Sequence, residues 1–565
     1  MSKSTLHESR LAVASARAAL VALLLLAPAA LGCGAASAPS ASAPSVSAPS
    51  ANVAPGPSGP AAPGSMVSVQ PVALPSGTAP SQPALATPAP AVPAAPCPRA
   101  LALDVEAIGA EVSCVLSRYV QLDTSNPPGN ESLGAAFVAS YLAGEGIAAQ
   151  IIESAPGRAN VIARLEGKSR GQALLLVHHM DVVPATASEW SVPPFSGQLD
   201  GGYVYGRGSV DNKGGGVVEL VALSLAKRLG FVPAHDVILL AVADEESGGA
   251  FGARWLTERR PELFTDVSAV LNEGGAILQP GAGRVVYGVE LAQKAPLWLR
   301  VTANGRSGHG SSPDASPATT LLVRALARLT QHEFPIEVLP EVAAMFRARA
   351  EALPEPQRSR YRDLRVSLRD SAFRAQFSKE PRDAALVRNT LAITMLAASP
   401  KENVISESAS AVLDMRLLPG QDPVRVQREV EAVLAEPSLR VEPILSWRAY
   451  SSPRDTPLFS AIERLARLRD PGAPVTANVI GGFTDCNAFR AKGITCYGFL
   501  PVRVDPAELG RVHGKDERAN VDALARAVVD LHALLDQLGA GASSAAGASL
   551  TTSALGRAKP AGAQN

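Results

Sequence analysis

The hydrophobic positions of this chain fall into distinct patterns, and their order predicts the architecture. Ala173-Leu174-Leu175-Leu176-Val177 and Asp236–Ala243 are short, nearly uninterrupted apolar runs. A strand with one wet face alternates apolar and polar residues, so these runs read as strands buried on both faces. Glu131–Gly144 instead carries Leu133, Phe137, Val138, Tyr141 and Leu142 at helical spacing, and Val217–Leu229 is helical again. Strands alternating with helices predict an α/β sheet domain.

From Leu297 the pattern changes. Leu297-Trp298-Leu299-Arg300-Val301 alternates strictly, as a sheet with one solvated face does, and a helix-rich stretch covers about 317–380. Residues 297–443 are therefore expected to form a smaller, inserted α+β domain. Helices and buried strands return from Trp447, so 97–296 and 444–540 should be two parts of one larger domain. No internal repeat is evident.

The two ends differ from this middle. Residues 34–96 are almost wholly Ala, Pro, Ser and Gly, and 541–565 have the same bias. Such segments bury too little apolar surface to offset ordering entropy, so both are expected to be disordered. Residues 1–33 read as an export signal, with Lys3, Arg10 and Arg17 ahead of the apolar run Ala18–Leu31. That run is short of the roughly 20 residues a spanning helix needs. It ends Ala30-Leu31-Gly32-Cys33, which resembles a bacterial lipoprotein cleavage box except that Ala30 stands where Leu is usual. A lipid anchor at Cys33, a plain secretory signal and an uncleaved anchor remain the readings. All of them export the protein to the cell envelope, periplasm or exterior.

Composition adds two constraints. Lys+Arg and Asp+Glu are equal at 52 each, with no long basic run, which argues against a nucleic-acid partner. Besides Cys33 the chain has Cys97, Cys114, Cys486 and Cys496. In an exported protein these can oxidise, but three connectivities, a single disulfide or none all stay open.

The residues able to do chemistry sit at predicted strand ends, where open α/β sheets place their ligand sites. His178-His179-Met180-Asp181 follows the first buried strand, and alternation puts His179 and Asp181 on the same side. A carboxylate beside a histidine is the usual support of a metal-binding imidazole. Asp244-Glu245-Glu246 ends the second buried strand, and burying unpaired carboxylates there costs several kcal/mol each unless cations are close. Glu273 in Leu271-Asn272-Glu273-Gly274-Gly275 ends another strand. Asp211 follows the glycine-rich stretch Tyr205–Val210, and His513 lies shortly before the C-terminal helix. Neither Tyr205–Gly216 nor Gly305–Gly310 has the spacing of a phosphate loop or a dinucleotide fingerprint. Two histidines and several carboxylates without a thiolate suit a pair of zinc ions, or less specifically cobalt or manganese.

In this order the motifs resemble the di-zinc exopeptidase and aminoacylase family over about 100–540. Trp190-Ser191-Val192-Pro193-Pro194-Phe195-Ser196-Gly197 and Thr124-Ser125-Asn126-Pro127-Pro128-Gly129 are most similar to its carboxypeptidase S branch, which also holds a secreted hydrolase of N-fatty-acyl amino acids. The resemblance implies a mixed-sheet catalytic domain with helices on both faces and an inserted lid or dimerisation domain. It implies His179 and Glu273 on one zinc, Glu246 and His513 on the other, and Asp211 bridging both. Glu245 takes the place of the general base and Asp181 that of the acid behind His179. His309, in Ser307-Gly308-His309-Gly310, matches a histidine that reaches a partner's active site in dimeric relatives, so a homodimer through the inserted domain is implied. Asn403 and Arg416 match positions that hold the substrate carboxylate in some relatives.

Two departures stand out. His178 replaces a usual small residue, and the spacing to Asp181 assigns the ligand role to His179. Cys486 follows the Thr484-Asp485 pair. The expected activity is exo-acting hydrolysis of an amide next to a free carboxylate, on a small peptide or on an N-acyl amino acid. A metal-dependent binding protein without turnover, or a structural envelope protein, would not need an intact Glu245 among a full set of ligands.

Overall fold

The computed structural model describes residues 96–279, 285–351 and 353–551. The predicted leader, Cys33 and nearly all of the Ala/Pro/Ser tether lie outside the described residues.

Helix α1 (Val105–Val120) and helix α2 (Ser132–Gly144) precede an antiparallel pair, β1 (Ala149–Ala155) and β2 (Arg158–Leu165). Strand β3 (Ser169–His179), helix α3 (Lys213–Arg228) and strand β4 (His235–Val242) form a crossover unit in which β3 and β4 pair in parallel. Strands β5 (Val267–Asn272) and β6 (Val286–Gln293) follow. After the second sheet the chain returns through helix α4 (Pro457–Arg469), β7 (Val475–Ile480), β8 (Thr495–Gly498) and helix α5 (Val521–Thr551). Among the described residues, ten strands make one mixed sheet: eight follow the order β1-β2-β4-β3-β5-β8-β6 with β7 paired to β6, and the two-residue strands Ile277–Leu278 and Arg503–Val504 continue it beyond β6.

The apolar runs divide between two cores by strict alternation. Leu174, Leu176, Val237, Leu239 and Ala241 pack on one face with α1, α3 and α5. Leu175, Val177, Ile238, Leu240 and Val242 pack on the other with Leu256 and Phe489. This period-two split is why the strands had to be apolar throughout.

The second sheet is antiparallel and four-stranded, built from Ala295–Asn304, Thr390–Ala397, Ser408–Leu417 and Arg440–Ser446. Its alternation resolves as expected: Leu297, Leu299, Val301, Leu413 and Met415 face a core closed by the helices Ala318–Leu329 and Pro423–Leu434. Shorter helices between Pro340 and Ala385 build a further core around Phe346 and Phe377.

Two features go beyond the sequence reading. Both cysteine pairs are joined, Cys97–Cys114 and Cys486–Cys496, as suits an oxidising compartment. Helix α5 also runs on to Thr551, past the boundary at 540 where a disordered tail was expected. The alanines of that segment have the highest helix propensity, and extending an established helix needs no new nucleus.

Candidate metal centre

The site begins where β3 ends. His178 and His179 are adjacent on the strand and turn to opposite faces. His178 Nδ1 lies 2.8 Å from Glu219 Oε2 of α3, and both side chains are fully buried. Burial, with His179 beside it, pushes His178 down to about 3, and burial holds the Glu219 carboxyl well above its ordinary range. They form a neutral hydrogen-bonded pair inside the fold.

His179 faces the open strand end. Its Nδ1 donates to the Asp181 carbonyl at 2.9 Å, which leaves Nε2 as the lone-pair side. That Nε2 is 2.9 Å from Asp211 Oδ1 and 3.5 Å from Glu273 Oε2. Asp211 Oδ2 in turn lies 3.1 Å from His513 Nε2, which is 3.2 Å from Glu246 Oε2. The ligand atoms of His179, Glu245 and Glu273 lie within 4.8 Å of one another, as do those of His179, Asp211 and Glu246. Asp211 thus stands between two histidines, with an acid on either flank.

The electrostatics are those of a site with too much negative charge. Burial raises Glu245 well above the carboxylate range, reinforced by Glu273 and Glu246. Burial and Asp211 raise Glu273 to about 7 despite His179. Hydrogen bonds that its ring donates to Asp211 and Glu246 raise His513 to about 10. For His179, burial opposes protonation, but Glu273, Asp181 and Asp211 outweigh it and raise its pKa well above the usual value. The carboxylates hold protons on each other and on the histidines, and cations would displace those protons. Glu245 Oε1 and Glu246 Oε1 are buried and have no hydrogen-bond partner. Buried carboxylate oxygens left bare are expensive, so the donor set fits divalent cations with nitrogen and oxygen preferences.

The supporting residues were only partly legible. Asp181 was expected to orient His179 with its carboxylate, but that Oδ1 is 3.6 Å from the ring nitrogen, and its backbone carbonyl makes the contact instead. The carboxylate accepts from Glu245 N at 3.0 Å, Glu246 N at 3.1 Å and Asn126 Nδ2 at 2.8 Å. It grips the turn that carries both glutamates. Asp244, left-handed at φ 67°, enters that turn and is pinned by Arg158 Nη2 at 2.7 Å and Asn126 Nδ2 at 3.0 Å. Arg158 carries no local motif that would have marked it, and Asn126 lies in the Thr124–Gly129 motif, which was given no role in the site. Asp485, buried with Oδ2 unpartnered, was signalled by the Gly481–Asp485 stretch but not assigned. Gln293 brackets Thr484 with hydrogen bonds of 3.0 and 2.9 Å, and the cysteine after the pair ties the loop to β8.

His309, Asn403 and Arg416 make their contacts elsewhere. Among the described residues no hydrogen bond or ion pair joins them to the cluster. His309 sits exposed on a two-residue strand paired with Val404, its Nδ1 2.7 Å from Ser311 Oγ. The Asn403 carbonyl accepts from Gly310 N at 2.8 Å. Arg416 is held by Asp414 through Nε at 2.8 Å and Nη2 at 3.1 Å, with Trp298 and Phe483 against its guanidinium.

A mixed α/β sheet with a histidine–carboxylate cluster at its strand ends defines a metal-dependent hydrolase. The comparisons with known proteins agree. Residues 175–537 match Peptidase family M20/M25/M40, and the chain belongs to that family of enzymes. It is 30% identical over 357 residues to the N-fatty-acyl-amino acid synthase/hydrolase PM20D1 of Xenopus tropicalis, covering 62% of this chain and 69% of that protein. It is 26% identical over 356 residues to the probable carboxypeptidase S-like 2 of Dictyostelium discoideum, covering 62% and 68%. Its fold is shared with the M20 family metallo-carboxypeptidase Sso-CP2 of Sulfolobus solfataricus (TM-score 0.61, 18% identity, 76% of this chain and 99% of that one).

Proposed function

We propose that the protein is a two-metal, exo-acting amide hydrolase that cleaves a bond adjacent to a free carboxylate. The observation that carries this reading is that two triads sharing His179, one with Glu245 and Glu273 and one with Asp211 and Glu246, each bring their ligand atoms within 4.8 Å of one another, with His513 closing the far side of Asp211. His179 and Glu273 would hold one ion, Glu246 and His513 the other, and Asp211 both. Zinc is the first choice, with cobalt or manganese as substitutes. Bound there, the pair supplies Lewis acidity, which makes water acidic at neutral pH and polarises the amide carbonyl.

The chain's own residues do the rest. Glu245, buried and short of a hydrogen-bond partner at Oε1, is the base: with bound cations displacing its own proton, it takes the attacking water's proton and passes it to the leaving nitrogen. Asp181 keeps Glu245 and Glu246 in register through their backbone amides. Arg416 leaves its Nη1 group for the substrate carboxylate, because Asp414 occupies its other edge. Asn403 assists there. His309, exposed on its ribbon, would reach the carbonyl oxygen from a second copy of the chain joined through the smaller sheet.

Small peptides are the first substrate class, in line with the carboxypeptidase name of one relative. One observation favours N-acyl amino acids as a second reading. A cavity of about 640 Å³ opens from Asp211 and Glu273, lined by Leu278, Leu500, Val502 and Leu524 together with charged groups such as Arg503, Glu508 and Arg518. An aliphatic acyl group needs such a pocket, and a peptide backbone does not. The disulfides and predicted leader support action outside the cytoplasm, with Cys33 as the proposed lipid anchor.

The test is direct. Glu245→Gln should lower kcat by about 100-fold or more while the metal content stays at the wild-type level. Unchanged turnover sinks the base assignment. Hydrolysis of Gly-Leu against N-lauroyl-leucine by purified protein separates the two substrate classes.

A further inference from the structure

The metal-ligand reading uses none of the atoms of one buried ion pair next to it. Arg207 and Glu517 come from segments far apart in sequence and are 3% and 0% exposed. Arg207 Nη1 donates to Glu517 Oε2 at 2.6 Å. The other oxygen, Glu517 Oε1, accepts from the backbone amides of Val210 at 2.8 Å and Asp211 at 3.0 Å. Arg207 Nη2 reaches the carbonyl of His513 at 3.2 Å, and its guanidinium lies 5.2 Å from the Trp190 ring centre. The carbonyl of Glu517 also accepts from Gly206 N at 2.9 Å.

We propose that the Arg207–Glu517 pair is the positioning device of the second metal site, setting Asp211 and His513 at the separation a divalent cation needs between them and Glu246. This rests on the ligand assignment above. Two physical points single the pair out. A buried ion pair adds little net stability over apolar residues of the same size, so stability alone does not account for it. Its hydrogen bonds also end on the backbones of the two residues that face each other across the site. His513 is left-handed at φ 60°, a conformation non-glycine residues avoid, and its carbonyl is the one Arg207 grips. The ring of His513 is half exposed and, among the described residues, makes ion-pair contacts only with Asp211 and Glu246, so its aim depends on the backbone beneath it.

The experiment is a Zn2+ titration of the metal-free, full-length protein against a chromophoric chelator, with thermal unfolding of the same metal-free samples. Glu517→Gln keeps an acceptor for the two amides but drops the charge that holds Arg207. The double variant Arg207→Met with Glu517→Gln removes both charges and leaves no lone buried ion, which covers the case in which the single variant fails to fold. Wild type should bind two equivalents. Both variants should bind the second equivalent about 10–100-fold more weakly, the usual loss when a ligand's support is removed, and the first less than about tenfold more weakly, through the shared Asp211 alone. Excess Zn2+ should then restore kcat with KM unchanged. Equal weakening of both equivalents overturns the proposal, and so does an unchanged second affinity with a lowered metal-free melting temperature, since each is what a merely structural clamp gives. A wild-type protein that binds fewer than two equivalents instead overturns the two-ion reading and this proposal with it.

Discussion

Arg490→Met tests whether the floor of the site is held electrostatically. Arg490 ends the short helix Cys486–Arg490, and its side chain is 1% exposed against 0% for its partner Glu290. Nη1 and Nη2 meet the two Glu290 oxygens at 2.7 Å each, and Nη2 also donates to the Cys496 carbonyl at 2.7 Å. Besides Arg490, Glu290 accepts from Gly498 N at 3.0 Å. Gly498 is packed so tightly that a β-carbon there would lie 2.3 Å from the Glu273 carbonyl oxygen. The pair therefore sets the backbone under a proposed ligand. Removing the arginine leaves a carboxylate out of water with one amide for company, which destabilises by about 3–5 kcal/mol. Glu290→Gln in the same background removes the stranded charge, so the double variant should recover much of that loss. The coupling energy should reach about 2–3 kcal/mol, the upper end for residues in contact. The assay is urea unfolding of metal-free protein, which keeps ligand binding out of the cycle. A single-variant loss under about 1 kcal/mol, or losses that simply add in the double variant, would refute the argument.

Three further outcomes follow from other parts of the fold. Gly216→Ala places a β-carbon 2.4 Å from the His178 ring, which Glu219 pins. The overpacking, about 1–3 kcal/mol, should exceed the roughly 1 kcal/mol gained in helix propensity, and a melting temperature at or above wild type would contradict this. Stripping metal with a chelator should abolish hydrolysis and remove about 2.7 kcal/mol of stability for each ion that had been present at 100 times its Kd. Activity should return with zinc, cobalt or manganese, and turnover that survives exhaustive chelation excludes the mechanism. Hydrogen bonds from Arg164 hold the Asp266 carboxyl below its ordinary value. Its contribution is complete above the unfolded pKa of about 4 and is lost as pH falls through the lower folded value. The stability gap between wild type and Asp266→Asn, followed by urea unfolding, should therefore shrink below about pH 4, and a gap that is flat with pH contradicts the assignment.

Much of the architecture was legible along the chain because burial writes itself into periodicity. Leu174–Val177 could only be a strand covered on both faces, and Leu297–Val301 only one with a wet side. Four of the proposed ligands, His179, Asp211, Glu246 and Glu273, sit where an apolar run or a glycine-rich turn ends in an acid or a histidine, whereas His513 has no such mark and its proposed role rested on the family resemblance. Local spacing could not show that Asp181 holds the glutamate turn by its carboxylate and His179 by its carbonyl. Both contacts depend on how the end of β3 meets the end of β4.

The sequence by itself determined the order of the elements, the two kinds of sheet and the residue types available for metal binding, since these follow from side-chain chemistry and from periods of 2 and 3.6 residues. The tertiary structure alone decided which cysteines pair, and that Arg207, Glu517 and Arg158 stand behind the proposed ligands. Arg207 and Glu517 are 310 positions apart, and Arg158 and Asp244 are 86 apart. Contacts across such separations come from packing the whole chain into one low-energy arrangement, so no local window of sequence contains them.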